Sequence, residues 1–441
     1  MVLLPTFLLF SASALPQDPP KTKEPWTQAE LERISDEIRG QIEELRGMKF
    51  TRPVAAKITD KKGFLSYAKK RQEAMESPER RQRDETVAKM LGLVPFDMDL
   101  GKTLDGFLEQ QVGGFYDPGT NTFYLMEQFE GDLARIILAH ELTHALDDQC
   151  FGLDKLVEGA AQETDAEFAI QAMAEGSGTN AMTVWTLKHM HELDPSALGS
   201  EDLETKGLDT APTYIWKPLL AAYLRGDGFL AHAEGMNMFA TPAKTEELKR
   251  CFADPPRSSE QILHPKKYWD PKKRDDPKPV TLDSSGLPKD WKVIGQDTLG
   301  ELYLALLTQP FSERGGLDAS NKLAILGVQF TNKAAEGWGG DRLLLAAKGD
   351  ARVLYLDTLW DTPEDATEFH DVLAKLVQRD ETPAQKLVSG PEQQRLSWLQ
   401  GLSDLALVKD TEHSAVTLRI EWKTKKGAEG LPPMLPWALK K

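Results

Sequence analysis

Cysteine is nearly absent from this chain: 441 residues contain two, Cys150 and Cys251. That excludes a scaffold built on disulfides and a cysteine-rich metal cluster. It leaves room for one pairing, between these two, against two separate thiols behaving as small apolar side chains. Positive charge is also scarce, with 53 Lys and Arg against 69 Asp and Glu and a formal net charge of -16. An acidic chain with no dense basic block is a poor general partner for nucleic acid or for anionic membranes. Beyond the first residues no stretch approaches the ~18 consecutive apolar residues that cross a bilayer. Histidine is rare too, at eight residues, so two of them at a meaningful spacing carry weight.

Apolar residues make up 40% and charged residues 28%, the balance of a globular protein long enough for two or three domains. The chain opens MVLLPTFLLFSASALPQDPP. An apolar run over residues 2–10 leads into Ser11-Ala12-Ser13-Ala14, and Ala12-Ser13-Ala14 fits an A-x-A cleavage site. The expectation is a signal peptide over residues 1–14 and an exported mature chain, periplasmic, cell-surface or extracellular, with no stable membrane insertion after cleavage. The departure from that pattern is an n-region without Lys or Arg.

Residues 15–25 are rich in Pro and Lys and read as a tail. Thr27 and Glu30 have capping-box spacing, and Leu31, Ile34, Ile38, Ile42 and Leu45 then recur every three to four residues, which predicts an amphipathic helix. A short strand is expected near residues 54–58. Residues 113–126 read GGFYDPGTNTFYLM, with aromatic and β-favouring residues on both sides of Asp117-Pro118-Gly119-Thr120-Asn121, which predicts a hairpin. Helices follow over residues 132–148 and 160–174, the second broken at Gly176-Ser177-Gly178. A Pro/Lys/Asp-rich stretch reads as a linker or long loop over 265–290. Beyond it, residues 296–307 read as a helix, 342–347 and 352–358 as strands around a Lys348-Gly349-Asp350 turn, 363–377 as a helix and 415–422 as a strand. Trp338 and Trp360 are expected in the core.

The chemistry concentrates at His140-Glu141-Leu142-Thr143-His144, an HExxH sequence. On a helix, positions i and i+4 share a face, so both imidazoles reach one ion. Glu141 then meets a metal-bound water, whose pKa zinc lowers towards about 7, and accepts its proton as general base. The flanking residues are apolar, which puts the helix in the interior. A catalytic zinc needs a third protein ligand. The position six beyond His144 is Cys150 and the position three beyond is Asp147, so the HExxHxxGxxH pattern is absent. A carboxylate from a following helix remains: Glu158, Glu163, Glu167 or Glu175. Helix position favours Glu175 (31 residues beyond His144, 175 − 144), with Glu167 next.

Four blocks in order carry a resemblance to the secreted gluzincin-type zinc metallopeptidases of bacteria and archaea. They are GGFYDPGTNTFYLM, ILAHELTHALDDQ, DAEFAIQAMAEGSGT and SSEQILHPKKY, between about residues 111 and 268. Gly337-Trp338-Gly339-Gly340-Asp341-Arg342 and Leu359-Trp360-Asp361-Thr362 resemble that family's C-terminal portion more loosely. Of these only HExxH is specific alone. The resemblance implies Glu175 as third ligand. The Asp that in that family often follows the ligand Glu by two is Ser177 here, so support for a ligand His must come from elsewhere, with Asp147, Asp148 and Asp165 as candidates. His264, in Ser258-Ser259-Glu260-Gln261-Ile262-Leu263-His264-Pro265, reads either as a donor to a developing oxyanion or as the end of a short helix capped by Ser258 or Ser259. A Cys150–Cys251 disulfide would tie this block to the zinc helix. The hairpin reads as a substrate-pairing edge or an ordinary sheet edge.

The expectation is therefore an α+β chain: a 15–50 tail and helix, a zincin-like domain over 51–264 with a mostly helical body and a small sheet, and a small α+β domain over 291–441. The expected activity is hydrolysis of a peptide or protein substrate by one Zn2+ per chain, held by His140, His144 and Glu175, with Glu141 as base and His264 assisting. The alternative is a non-catalytic, zinc-stabilised exported binding protein, which has no need of Glu141.

Overall fold

The computed structural model describes residues 26–160, 163–194, 207–318, 324–378, 391–423 and 435–439. The expected signal peptide and tail lie outside them. The chain is α+β, with a helical body around a small sheet and a second region built on a larger sheet.

Helix α1 (Gln28–Arg46) begins as the sequence predicts. The Thr27 side chain accepts the Glu30 N–H, and the Glu30 carboxylate accepts the Thr27 N–H at 2.9 Å. It ends at Gly47, whose left-handed φ of 60° glycine adopts without strain. Then come β1 (Ala55–Thr59), α2 (Lys61–Met75), α3 (Pro78–Met90), α4 (Leu100–Gln111), β2 (Gly114–Asp117) and β3 (Thr122–Met126). β2 and β3 form the expected hairpin, with the Asp117 carboxylate accepting the Gly119 N–H and the Thr120 hydroxyl across the turn. β1 adds to β3 in parallel, giving the order β1-β3-β2.

The helical body follows as α5 (Gly131–Phe151), α6 (Leu153–Ala160), α7 (Thr164–His189), α8 (Thr213–Leu230), α9 (Thr245–Ala253), α10 (Ser259–Leu263) and α11 (Lys266–Trp269). Leu31, Ile34, Ile38 and Ile42 of α1 pack with Leu133, Ile137 and Leu142 of α5 and Phe123 of β3. On the other side of α5, α7 crosses α8 with backbone against backbone. The expected break at residues 176–178 does not occur, and α7 runs through it. A Cβ on Gly176 would sit 2.1 Å from the Gly226 carbonyl carbon. These glycines admit a neighbouring chain, and that packing outweighs their helix cost of about 1 kcal/mol each.

The second region comprises β4 (Val280–Leu282), β5 (Lys292–Asp297), α12 (Gly300–Thr308), β6 (Trp338–Lys348), β7 (Ala351–Trp360), α13 (Pro363–Val377), α14 (Pro391–Gly401), β8 (Asp404–Asp410), β9 (Ala415–Trp422) and β10 (Trp437–Leu439). Its antiparallel sheet has the order β5-β6-β7-β9-β8. Residues from α12, α13, α14 and α3 cover one face, with Trp338 and Trp360 inside that core. On the opposite face Leu282 and Trp291 meet Leu344 and Tyr355. The single helix expected over 296–307 is instead the end of β5 followed by α12. Gln296 and Asp297 pair with Leu344 and Leu343, and the helix starts only where the Asp341 carboxylate accepts the Leu299 and Gly300 N–H groups. Residues 265–290 are pinned to the body. Tyr268 and Trp269 are buried, and the Lys267 ammonium meets Glu260, Asp275 and Asp361. No helix among the described residues is long and apolar enough to cross a membrane.

Candidate metal centre

The face of α5 turned to α7 carries His140 and His144, one turn apart. Their Nε2 atoms lie 2.9 Å from each other, and each lies 3.3 Å from Oε2 of Glu175 on α7. His140 and Glu175 are fully buried and His144 is 3% exposed. The helix crossing brings them together, since the His140 ring lies directly on Gly178, three residues after Glu175, with Tyr223 of α8 stacked alongside at 5.8 Å.

Three acceptor or donor atoms converging in the interior with no cation among them is costly unless something else is bound there. Glu175 Oε1, His140 Nδ1 and His144 Nδ1 are also buried without a hydrogen-bond partner among the described residues. Burial and the neighbouring His144 push the His140 imidazole down. Burial opposes protonation of His144, but the Glu175 carboxylate overcomes it and lifts that imidazole. Burial likewise opposes ionisation of Glu175, and His144 overcomes it. The Glu175 carboxylate thus favours positive charge at this point, which a divalent ion would supply. Two His and one Glu form a familiar zinc ligand set, and tetrahedral ligands at ~2.0–2.1 Å from an ion stand ~3.3 Å apart. The observed edges of 2.9, 3.3 and 3.3 Å fit that set.

Glu141 is fully buried on the same helix. β2 lies along α5 here: a Cβ on Gly114 would touch Ile137, and the Tyr116 hydroxyl donates to Asp148 Oδ2 at 3.0 Å. The Met126 N–H donates to the Gly113 carbonyl, so by antiparallel alternation the backbone groups of Gly114 and Tyr116 face away from β3. α2 covers that free edge. Tyr67 stacks on Phe115 at 4.4 Å and its hydroxyl donates to the Tyr116 carbonyl at 3.4 Å, while Arg71 pairs with Asp154. Burial raises the Tyr67 phenol pKa, and Glu141 is among the carboxylates that raise it further.

The other candidates go elsewhere. Glu167 binds Arg80 at 2.7 Å, and Glu163 binds Arg342 at 2.9 Å. His264 closes α10 and pairs with Glu301 at 2.9 Å. Its partners lie outside the His140–His144–Glu175 cluster. Ser258 caps α10, accepting the Gln261 N–H. Cys150 and Cys251 are two free thiols, one exposed and one buried, so no disulfide ties that block to α5. Of the three acids considered as support, Asp165 accepts the Ser259 N–H and Asp148 the Tyr116 hydroxyl. Asp147 meets Ser177, whose hydroxyl donates to it at 2.5 Å, and Arg46, whose Nη2 lies 2.9 Å away. Arg46, Tyr67 and Tyr223 had no local signature. Arg46 reads in the sequence as an ordinary cation at a helix C-terminus. A second acidic group, Glu260, Asp275 and Asp361, also converges, but the Lys267 ammonium already stands among the three carboxylates.

A family model described as a domain of unknown function (DUF8575) matches residues 291–413. The similarity covers most of the larger sheet and none of α5 or α7. No curated protein and no solved structure matches the chain.

Proposed function

We propose that this chain is an exported zinc-dependent peptidase of gluzincin type. The observation that carries this reading is the meeting of His140, His144 and Glu175 around one point, with Glu141 next to the first ligand in the HExxH order. When bound, zinc would supply Lewis-acid activation of water and of the scissile carbonyl. Glu141 accepts the proton of the attacking water and returns it to the leaving amide nitrogen. The burial of the cluster keeps competing water out and strengthens the field of each charge. An extended peptide would lie against the free edge of β2, pairing with the backbone of Gly114 and Tyr116, and Tyr67 and its helix give way as it enters. The resemblance of the four sequence blocks and the apolar run at residues 2–10 support the family and the export.

One observation favours the alternative of a structural zinc site in a binding protein. Structural sites are closed, and here all four residues are buried. The Glu141→Gln substitution separates the two readings. In a peptidase it leaves one zinc per chain and removes cleavage of a broad peptide library, by a factor on the order of 10²–10⁴ for a lost general base. Zinc retained with no cleavage by the unsubstituted chain would favour the structural site. No zinc on the unsubstituted chain would remove both.

A further inference from the structure

We propose that Arg46, Asp147 and Ser177 are positioning residues for the metal centre, joining the helix that carries both histidines to the helix that carries Glu175. The inference rests on the zinc reading above. Arg46 stands in the last turn of α1, and its Nη2 atom lies 2.9 Å from Asp147 Oδ1 and 2.6 Å from Ser177 Oγ. Ser177 closes the triangle through its 2.5 Å hydrogen bond to Asp147 Oδ2. Asp147 follows His144 by three residues on α5, and Ser177 follows Glu175 by two on α7. The clasp therefore sits about one turn from His144 and about two from His140 on one helix, and about half a turn from the glutamate on the other. It fixes both the spacing and the rotation of the two helices where the ligands meet.

The environment makes the clasp rigid. Arg46 is 3% exposed, and Asp147 and Ser177 are fully buried. A charge pair withdrawn from water has no solvated alternative, so it holds one geometry where an exposed pair would sample several. Arg46 is itself anchored, because its carbonyl accepts the Thr245 hydroxyl at 2.8 Å from the start of α9. Its Nε and Nη1 atoms are buried without a partner among the described residues. The guanidinium is thus kept in the interior for the one nitrogen that reaches both helices. Supports of this kind typically contribute 10- to 100-fold to metal affinity.

The test is zinc affinity of the full chain by competition with a chromophoric chelator, at a temperature where circular dichroism shows each variant folded. Arg46→Met and Ser177→Ala are compared with Leu418→Ala, which weakens the distant sheet core. The clasp predicts affinity weaker by roughly 10- to 100-fold for Arg46→Met, a smaller loss for Ser177→Ala, partial recovery in Arg46→Lys, and unchanged affinity for Leu418→Ala. Affinities for Arg46→Met and Ser177→Ala equal to the unsubstituted chain would overturn the clasp and leave the zinc reading standing. Should Arg46→Met not fold, Ser177→Ala and Arg46→Lys decide. An unsubstituted chain that takes up no zinc overturns both.

Discussion

A methyl group added at Gly178 tests the geometry of the metal centre with the smallest change available. Its carbon would stand 2.7 Å from Cε1, 2.8 Å from Nε2 and 2.9 Å from Nδ1 of His140. Ordinary carbon contacts begin near 3.5 Å, so the ring must retreat by about 0.7 Å or more. It has little room, since it is fully buried and Tyr223 stacks beside it. Metal–ligand distances tolerate about 0.2 Å, so Nε2 leaves the position it shares with His144 and Glu175. We expect Gly178→Ala to weaken zinc binding at least 10- to 100-fold, or about 1.4–2.7 kcal/mol. Bound zinc would stabilise the folded chain by RT ln(1 + [Zn]/Kd), so that increment would shrink by the same amount. The metal-free protein feels an opposing effect, because alanine is favoured over glycine inside a helix by up to ~1 kcal/mol. The assay is thermal unfolding of both proteins with and without zinc. A variant more stable than the parent when metal-free, and still showing the full zinc increment, would refute the placement of His140 on this glycine.

Gly176→Ala should fail differently: its Cβ would lie 2.1 Å from the Gly226 backbone, which cannot step aside, so we expect loss of soluble protein or a large drop in melting temperature whether or not zinc is present. Soluble Gly176→Ala with unchanged melting would show that α7 and α8 do not cross so closely. Titration with a thiol reagent should find one reactive group in the native protein, Cys150, and a second, Cys251, only after unfolding; a chain with no free thiol in denaturant would restore the disulfide. Asp357 is 1% exposed, and burial pushes its carboxyl up to about 7, with the Thr417 hydroxyl pulling the other way. The folded chain then binds more protons than the unfolded one between pH ~4 and ~7, so this group's contribution falls as pH rises through that window. Asp357→Asn should gain stability relative to the parent by on the order of 2–4 kcal/mol at pH 8 and by little at pH 4, measured by urea unfolding; a variant less stable at pH 8 would count against it.

Elements whose signals lie within a few residues were legible. The Thr27 capping box, the Asp117–Asn121 turn and the Pro363 start of α13 each state a boundary in local chemistry, and the structure has those boundaries. Residues 292–297 carried no such statement. They became strand because Leu343 and Leu344 of β6 offered a partner and because Asp341 set where α12 begins. The glycines at 176 and 178 misled for the same reason. Their local meaning is helix breaking, while their use here depends on Gly226 and the His140 ring, which a local pattern does not contain.

The candidate site divides along the same line. The two histidines and Glu141 share one helical turn, so spacing alone placed them on a common face. Glu175 had to be chosen among four carboxylates, and the sequence offered its place at an expected helix end and the resemblance of the block around it. Arg46 lies 101 residues from Asp147 and 131 from Ser177, beyond the reach of any periodicity. The block around Ser258–His264 shows the converse. His264 looked chemical because an imidazole there could donate to a developing oxyanion. The Ser259 N–H donates to Asp165 of α7, the Ser259 hydroxyl accepts from Leu302 of α12, and Asp341 holds the start of α12 with Trp338. A buried helix end leaves N–H groups that only a polar side chain satisfies. Where three helix ends meet in one interior, a conspicuous polar motif follows from the architecture alone. What distinguishes the candidate metal centre from that architecture is that its convergent atoms, the two Nε2 atoms and Glu175 Oε2, meet one another, whereas the carboxylates of Asp165 and Asp341 accept backbone N–H groups at those helix ends.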